Sequence, residues 1–147
     1  MYDINFFNQT IDIFSTIIIF LLGIFFINQI ANAFKATKRR AFGLYVWHSI
    51  FSLVYAFLSL TMPADTSIYY LQSLNNLPEF NLGTNAVVYL TAIFTSNLGL
   101  SYLGVFLVFN IFGTIGLLAV DASLRHATDN KSNFMKFLAL LVVLLPS

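Results

Sequence analysis

Asp65 is the residue best placed to do chemistry in this 147-residue chain. It stands in the run Met62-Pro63-Ala64-Asp65-Thr66-Ser67-Ile68-Tyr69-Tyr70, just past the end of a long apolar stretch. A carboxylate at such a boundary can take the proton of a hydroxyl as a general base, or it can hold a divalent cation. The same residue also fits an N-cap, because an Asp before Thr66 can accept the free amide hydrogens of a helix over 66–75. Glu79 is the only other acidic residue nearby and equally suits a solvated turn after Pro78. One or two carboxylates name no particular metal.

Three further groups have suggestive chemistry. His48 is an ionisable residue inside an apolar run, where such residues are functional candidates, although it lies close enough to one end to reach interfacial water. Asn110 sits near the middle of another apolar run. An amide there usually hydrogen-bonds a neighbouring helix. Gly113 and Gly116 follow it and suggest helix packing at close approach. His126 and Asp129 form a pair at i, i+3, too few ligands for a metal site.

The elements that must hold these residues are membrane helices. The chain is 59% hydrophobic and 9% charged, with 17 Phe and 7 Tyr. Soluble domains carry about 25% charged residues. The net charge of +1 gives no electrostatic case for nucleic acid. With no cysteine, disulfides, thiolate nucleophiles and Cys-based zinc sites are excluded.

All 7 Lys and Arg residues fall in two patches, Lys35–Arg40 and Arg125–Lys136. Apolar runs separated by such clusters read as spans joined by cytoplasmic loops. The spacing predicts spans over 13–34, 42–60 and 101–120, with loops 35–40 and 121–136 inside and the N-terminus, with Asp3 and Asp12, outside. Tyr45 and Trp47 fit an interfacial aromatic belt. Residues 61–100 form the least hydrophobic stretch and belong to the outer side. It holds two short helical candidates, 66–75 and 84–96. In the second, Ala86, Leu90, Ile93 and Phe94 share one side, and Thr84, Thr91 and Thr95 another, as on a helix lying at the membrane surface. The last apolar run, from about 135, is too short to span. It reads as the start of a fourth span in a longer chain. The expected fold is therefore an all-α, polytopic membrane helix bundle: one integral domain over 1–147, with three full spans and short surface helices.

Three segments carry a resemblance: Ala64–Tyr70 (ADTSIYY), Pro78–Phe94 (PEFNLGTNAVVYLTAIF) and Leu98–Leu118 (LGLSYLGVFLVFNIFGTIGLL). Their order resembles the early part of bacterial GT-C-type membrane glycosyltransferases and O-antigen-polymerase-like proteins of surface polysaccharide synthesis. The likeness is one of layout, without a diagnostic motif. It implies the bacterial inner membrane and a polyprenyl-linked sugar as substrate. It also implies that Asp65 is the catalytic base or a divalent-cation ligand, with Tyr69, Tyr70 and Glu79 lining the substrate site. The residues leave a non-enzymatic alternative open, a small membrane protein that assembles with itself or a larger partner through Asn110, Gly113 and Gly116.

Overall fold

The computed structural model describes residues 4, 6–7, 9–62, 64–75, 79–129 and 132–144. Asp3, Pro63, Pro78, Lys131 and Ser147 lie outside the described residues. Every regular element among those described is helical. In chain order they are α1 (Thr10–Ile30), a 3₁₀ turn (Ala31–Phe34), α2 (Lys38–Thr61), α3 (Asp65–Asn75), α4 (Thr84–Ala92), a π-helical turn (Ile93–Asn97), α5 (Tyr102–Thr128) and α6 (Asn133–Leu144). With its 3₁₀ turn, α1 is one of three helices long and apolar enough to cross a membrane; α2 and α5 are the others. The 12 residues of α6 rise only ~18 Å, short of a ~30 Å hydrocarbon core.

Each long helix has a local reason to start where it does. The Asp12 side chain reaches back to accept the Gln9 amide at 3.0 Å, one half of a capping box. Thr37 Oγ1 accepts the Arg40 amide at 3.3 Å, the N-cap bond of α2. Ser101 Oγ does the same for Gly104 at 3.4 Å and opens α5. Gly99, at φ 61°, makes the turn before it, a conformation that side chains disfavour.

Burial along α1 runs opposite to that of a soluble helix. Asp12, Thr16, Gly23, Ile27 and Ala31 form the inward stripe, spaced 4, 7, 4 and 4 residues apart. Ile11, Phe14, Ile18, Leu21, Leu22 and Phe25 point outward. Small and polar residues inside with large apolar residues outside is the pattern of helices whose solvent is lipid.

The chain forms two compact units. The first takes in residues up to Ile19 together with Ser52–Leu107, and the second comprises Phe20–Phe51 with the chain from Val108. In the first, α3 packs against α4 and the π turn. In the second, Ile27, Ala31, Ala36, Ala41, Leu44, Tyr45, Leu118 and Val143 form the core.

Several boundaries differ from those the sequence suggests. Half of the predicted loop 35–40 is helix, because α2 already begins at Lys38. The predicted loop 121–136 is also largely helical. α5 runs to Thr128, because its inward face (Asn110, Thr114, Leu118, Asp121, Thr128) continues past the last apolar residue. Asp121 and Arg125 support this extension as an i, i+4 pair at 2.9 Å. The helix predicted over 84–96 is an α-helix to Ala92 followed by the π turn, and its threonine side is divided, with Thr84 exposed and the other two turned in. Thr91 and Thr95 are buried, and Thr95 Oγ1 donates to Ser73 Oγ on α3 at 3.4 Å. Leu90 is exposed instead.

Candidate functional site

The first unit holds the Asp65 region. Asp65 is the first residue of α3 and is exposed. The cap belongs to its neighbour: the Ala64 carbonyl accepts the Ser67 and Ile68 amides at 3.1 and 3.4 Å. The Asp65 carboxylate has no hydrogen-bond partner among the described residues, so its lone pairs face outward. It borders a cleft of about 380 Å³ lined by Tyr55, Leu58, Ser59, Met62 and Ala64. An otherwise apolar cleft with one carboxylate on its rim suits an amphipathic molecule with a hydroxyl or cationic end.

A buried hydroxyl network fixes this rim. Ser67 Oγ donates to the Ser59 carbonyl at 2.7 Å, tying α3 to the last turns of α2. Ser59 Oγ lies 2.7 Å from both the Ala56 carbonyl and Tyr102 Oη. Because the Ser59 proton goes to Ala56, Tyr102 is the donor in the second pair. The Tyr102 ring meets Tyr70 edge-on, with centroids 5.0 Å apart.

Of the residues expected at the substrate, only Asp65 lines this cleft. Tyr70 is buried, and its ring is occupied by Tyr102. Tyr69 is half-buried, and Glu79 is exposed away from the cleft lining. Tyr55, Leu58 and Ser59 are lining residues that sequence reasoning misses, since nothing about them within an apolar run marks them. No three His, Asp or Glu side chains converge among the described residues. A divalent cation at Asp65 would have to take the rest of its shell from substrate and water. The residues present do not fit a protein-built cation site.

The second unit contains a charged clamp. Arg40, in the first turn of α2, grips Asp121 of α5 with both arms of its fork, Nη2 to Oδ1 at 2.6 Å and Nε to Oδ2 at 2.9 Å. Arg125 Nε donates to the same Oδ2 at 2.9 Å. Its other two nitrogens donate to backbone, Nη1 to the Lys35 carbonyl at 2.7 Å and Nη2 to the Phe34 carbonyl at 2.8 Å. Those carbonyls are among the unpaired acceptors that end the α1 segment. The end is a Schellman-type turn: Lys35 is left-handed at φ 50°, its amide donates to Asn32, and that of Ala36 donates to Ala31, both at 3.0 Å. One carboxylate, 1% exposed, thus joins α2, α5 and the end of α1. Two residues of the charge patches that the sequence presents only as orientation signals, Arg40 and Arg125, are structural here. The available clue is register, because Asp121 falls on the inward stripe of α5.

The same unit accounts for the remaining candidates. Asn110 is 2% exposed, and its Nδ2 donates to Ser49 Oγ on α2 at 2.8 Å. Its amide is thus engaged within the chain. A Cβ on Gly113 would fall on the His48 imidazole, so Gly113 is the notch that admits His48. Gly116 does not belong to this packing: a Cβ there would meet nothing within 4 Å, and the residue is exposed. Trp47 donates its indole N–H to the Leu144 carbonyl at 2.8 Å, at the end of α6. His126 is exposed near the end of α5, and the Asp129 amide donates to its carbonyl at 3.5 Å.

Compared with protein-family models, with curated proteins and with solved structures, the chain matches none.

Proposed function

We propose that this chain is part of a membrane enzyme that transfers a sugar from a polyprenyl-phosphate carrier, with Asp65 as its base. The observation that carries this reading is the exposed Asp65 carboxylate, without a partner among the described residues, on the rim of an apolar cleft. Its layout resemblance to GT-C-type glycosyltransferases supports the same role. In the reaction, Asp65 would take the proton of the acceptor hydroxyl. The freed oxygen would attack the anomeric carbon, and the carrier phosphate would leave with the bonding electrons. The expected setting is the bacterial inner membrane, with the N-terminus and α3–α4 outside and the basic patches inside. All basic residues clustering in two patches supports that orientation.

The test compares Asp65→Asn with Asp65→Glu in the bacterium that makes the polysaccharide. Asp65→Asn should lower product at least ~100-fold, the low end for losing a general base. Protein level should be unchanged, because the side chain supports no packing. Glu should restore part of the product. Normal product from Asp65→Asn would remove Asp65 from the chemistry.

A second reading is a non-enzymatic subunit that assembles in the bilayer. Gly116 favours it, lying exposed on α5 between Phe112 and Val120, which are exposed too. A glycine on an outward face lets another helix approach closely. Under this reading Gly116→Leu abolishes inter-chain crosslinks while leaving the monomer folded; crosslinks that persist would rule that surface out.

A further inference from the structure

The charged clamp borders a cleft whose chemistry goes beyond holding helices together. It has a volume of about 490 Å³. Its polar wall carries Arg40, Arg125 and Lys136 against Asp121 and Asp129, and its apolar wall includes Leu124, Phe137 and Leu140. Three cations against two carboxylates leave one positive charge in surplus.

The hydrogen bonds show where that surplus is available. Arg125 spends all three nitrogens, on Asp121 and on the carbonyls of Phe34 and Lys35. Arg40 spends Nε and Nη2 on Asp121 and keeps Nη1. Lys136 is exposed in the first turns of α6 and forms no ion pair with a described residue. Two donors on the polar wall therefore have no partner among the described residues. Phe137, next in sequence to Lys136, is exposed on the apolar wall. The cleft lies where α5 ends and α2 begins, at the ends of two helices apolar enough to cross a bilayer.

We infer that this cleft binds the headgroup of an anionic phospholipid. The lipid phosphate is held by Arg40 Nη1 and the Lys136 ammonium, and an acyl chain lies along Phe137 and Leu140. Arg40 suits the task because its fork is already locked by Asp121, so little side-chain freedom is lost on binding. A free phosphate would satisfy the cations but leave the apolar wall uncovered. The inference rests on the helices spanning a bilayer and is independent of any role for Asp65.

The test uses the full chain in nanodiscs of phosphatidylcholine doped with phosphatidylglycerol, with bound lipid counted by native mass spectrometry. Phosphatidylglycerol should be retained in preference to phosphatidylcholine. Lys136→Gln should weaken that preference about fivefold, the effect of one basic residue at an anionic surface, and Lys136→Arg should keep it. The control is Lys38→Gln with Arg39→Gln, two exposed cations outside the cleft, which should change the preference less than twofold. Equal retention of the two lipids would overturn the inference. So would an equal loss in the control, which would mean diffuse surface attraction. Displacement of the lipid by inorganic phosphate at equal concentration would assign the cleft to a soluble anion instead.

Discussion

Asp121→Asn is expected to destabilise the fold by about 3 kcal/mol. Removing one partner of a buried ion pair costs about 3–5 kcal/mol, because the remaining charge is left without compensation. Here two guanidinium groups lose their counter-charge together. Each is about a third exposed (34% and 33%), so water recovers part of the loss. The low end of the range therefore applies. The damage extends beyond the pair. Without Asp121, Arg125 loses the contact that fixes it over the Phe34 and Lys35 carbonyls, so its two bonds to the end of α1 weaken. Thermal unfolding in dodecylmaltoside micelles measures the loss. Arg40→Ala added to Asp121→Asn should recover part of it, since one uncompensated charge is then gone. A double variant as unstable as the sum of its parts would mean that Arg40 and Asp121 are not coupled.

The clamp also marks where sequence reasoning reaches its limit. Three long apolar helices are legible because hydropathy reports the solvent directly, and α3 and α4 are legible from the turn residues around them. Asp121 is hidden for a physical reason. A charged residue after an apolar run normally marks the run's exit into water, and the same residue can instead turn inward if two arginines meet it. One of them, Arg40, is 81 residues away in sequence. Nothing local reports that meeting. The Thr91 and Thr95 side of α4 misleads in a related way. In water, threonines on one side of a short helix face the solvent. Here Thr91 and Thr95 are buried instead, and Thr91 Oγ1 finds its acceptor in the Val87 carbonyl of its own helix at 2.8 Å, so it needs no water. At Asp65 the sequence locates the residue but not its cleft, which depends on how α3 docks on the end of α2 through Ser59 and Ser67.

Gly23→Ala should cost about 2 kcal/mol, the middle of the range for overpacking a tight core. That sign is opposite to the usual one, since alanine is favoured over glycine by about 1 kcal/mol inside a helix. The reversal comes from Tyr45. A Cβ on Gly23 would fall on the Tyr45 phenol and lie 3.1 Å from Ile111 Cγ1. Tyr45 cannot swing clear, because it is fully buried. Its hydroxyl donates to the Phe20 carbonyl at 3.2 Å, and its ring packs on Phe20 with centroids 5.4 Å apart. Tyr45→Phe alone should cost ~1 kcal/mol for the lost hydrogen bond. Combined with Gly23→Ala it should cost less than the sum by at least ~0.5 kcal/mol, because the atom nearest the new methyl has gone. Strict additivity would show that the clash is elsewhere. Gly116→Ala is the internal control, with open space around it and an expected gain of up to ~1 kcal/mol. The two glycines look alike as sequence, each inside an apolar helix. Their opposite responses would show that α1 meets α2 at Gly23 and that α5 leaves Gly116 open to lipid or to another helix.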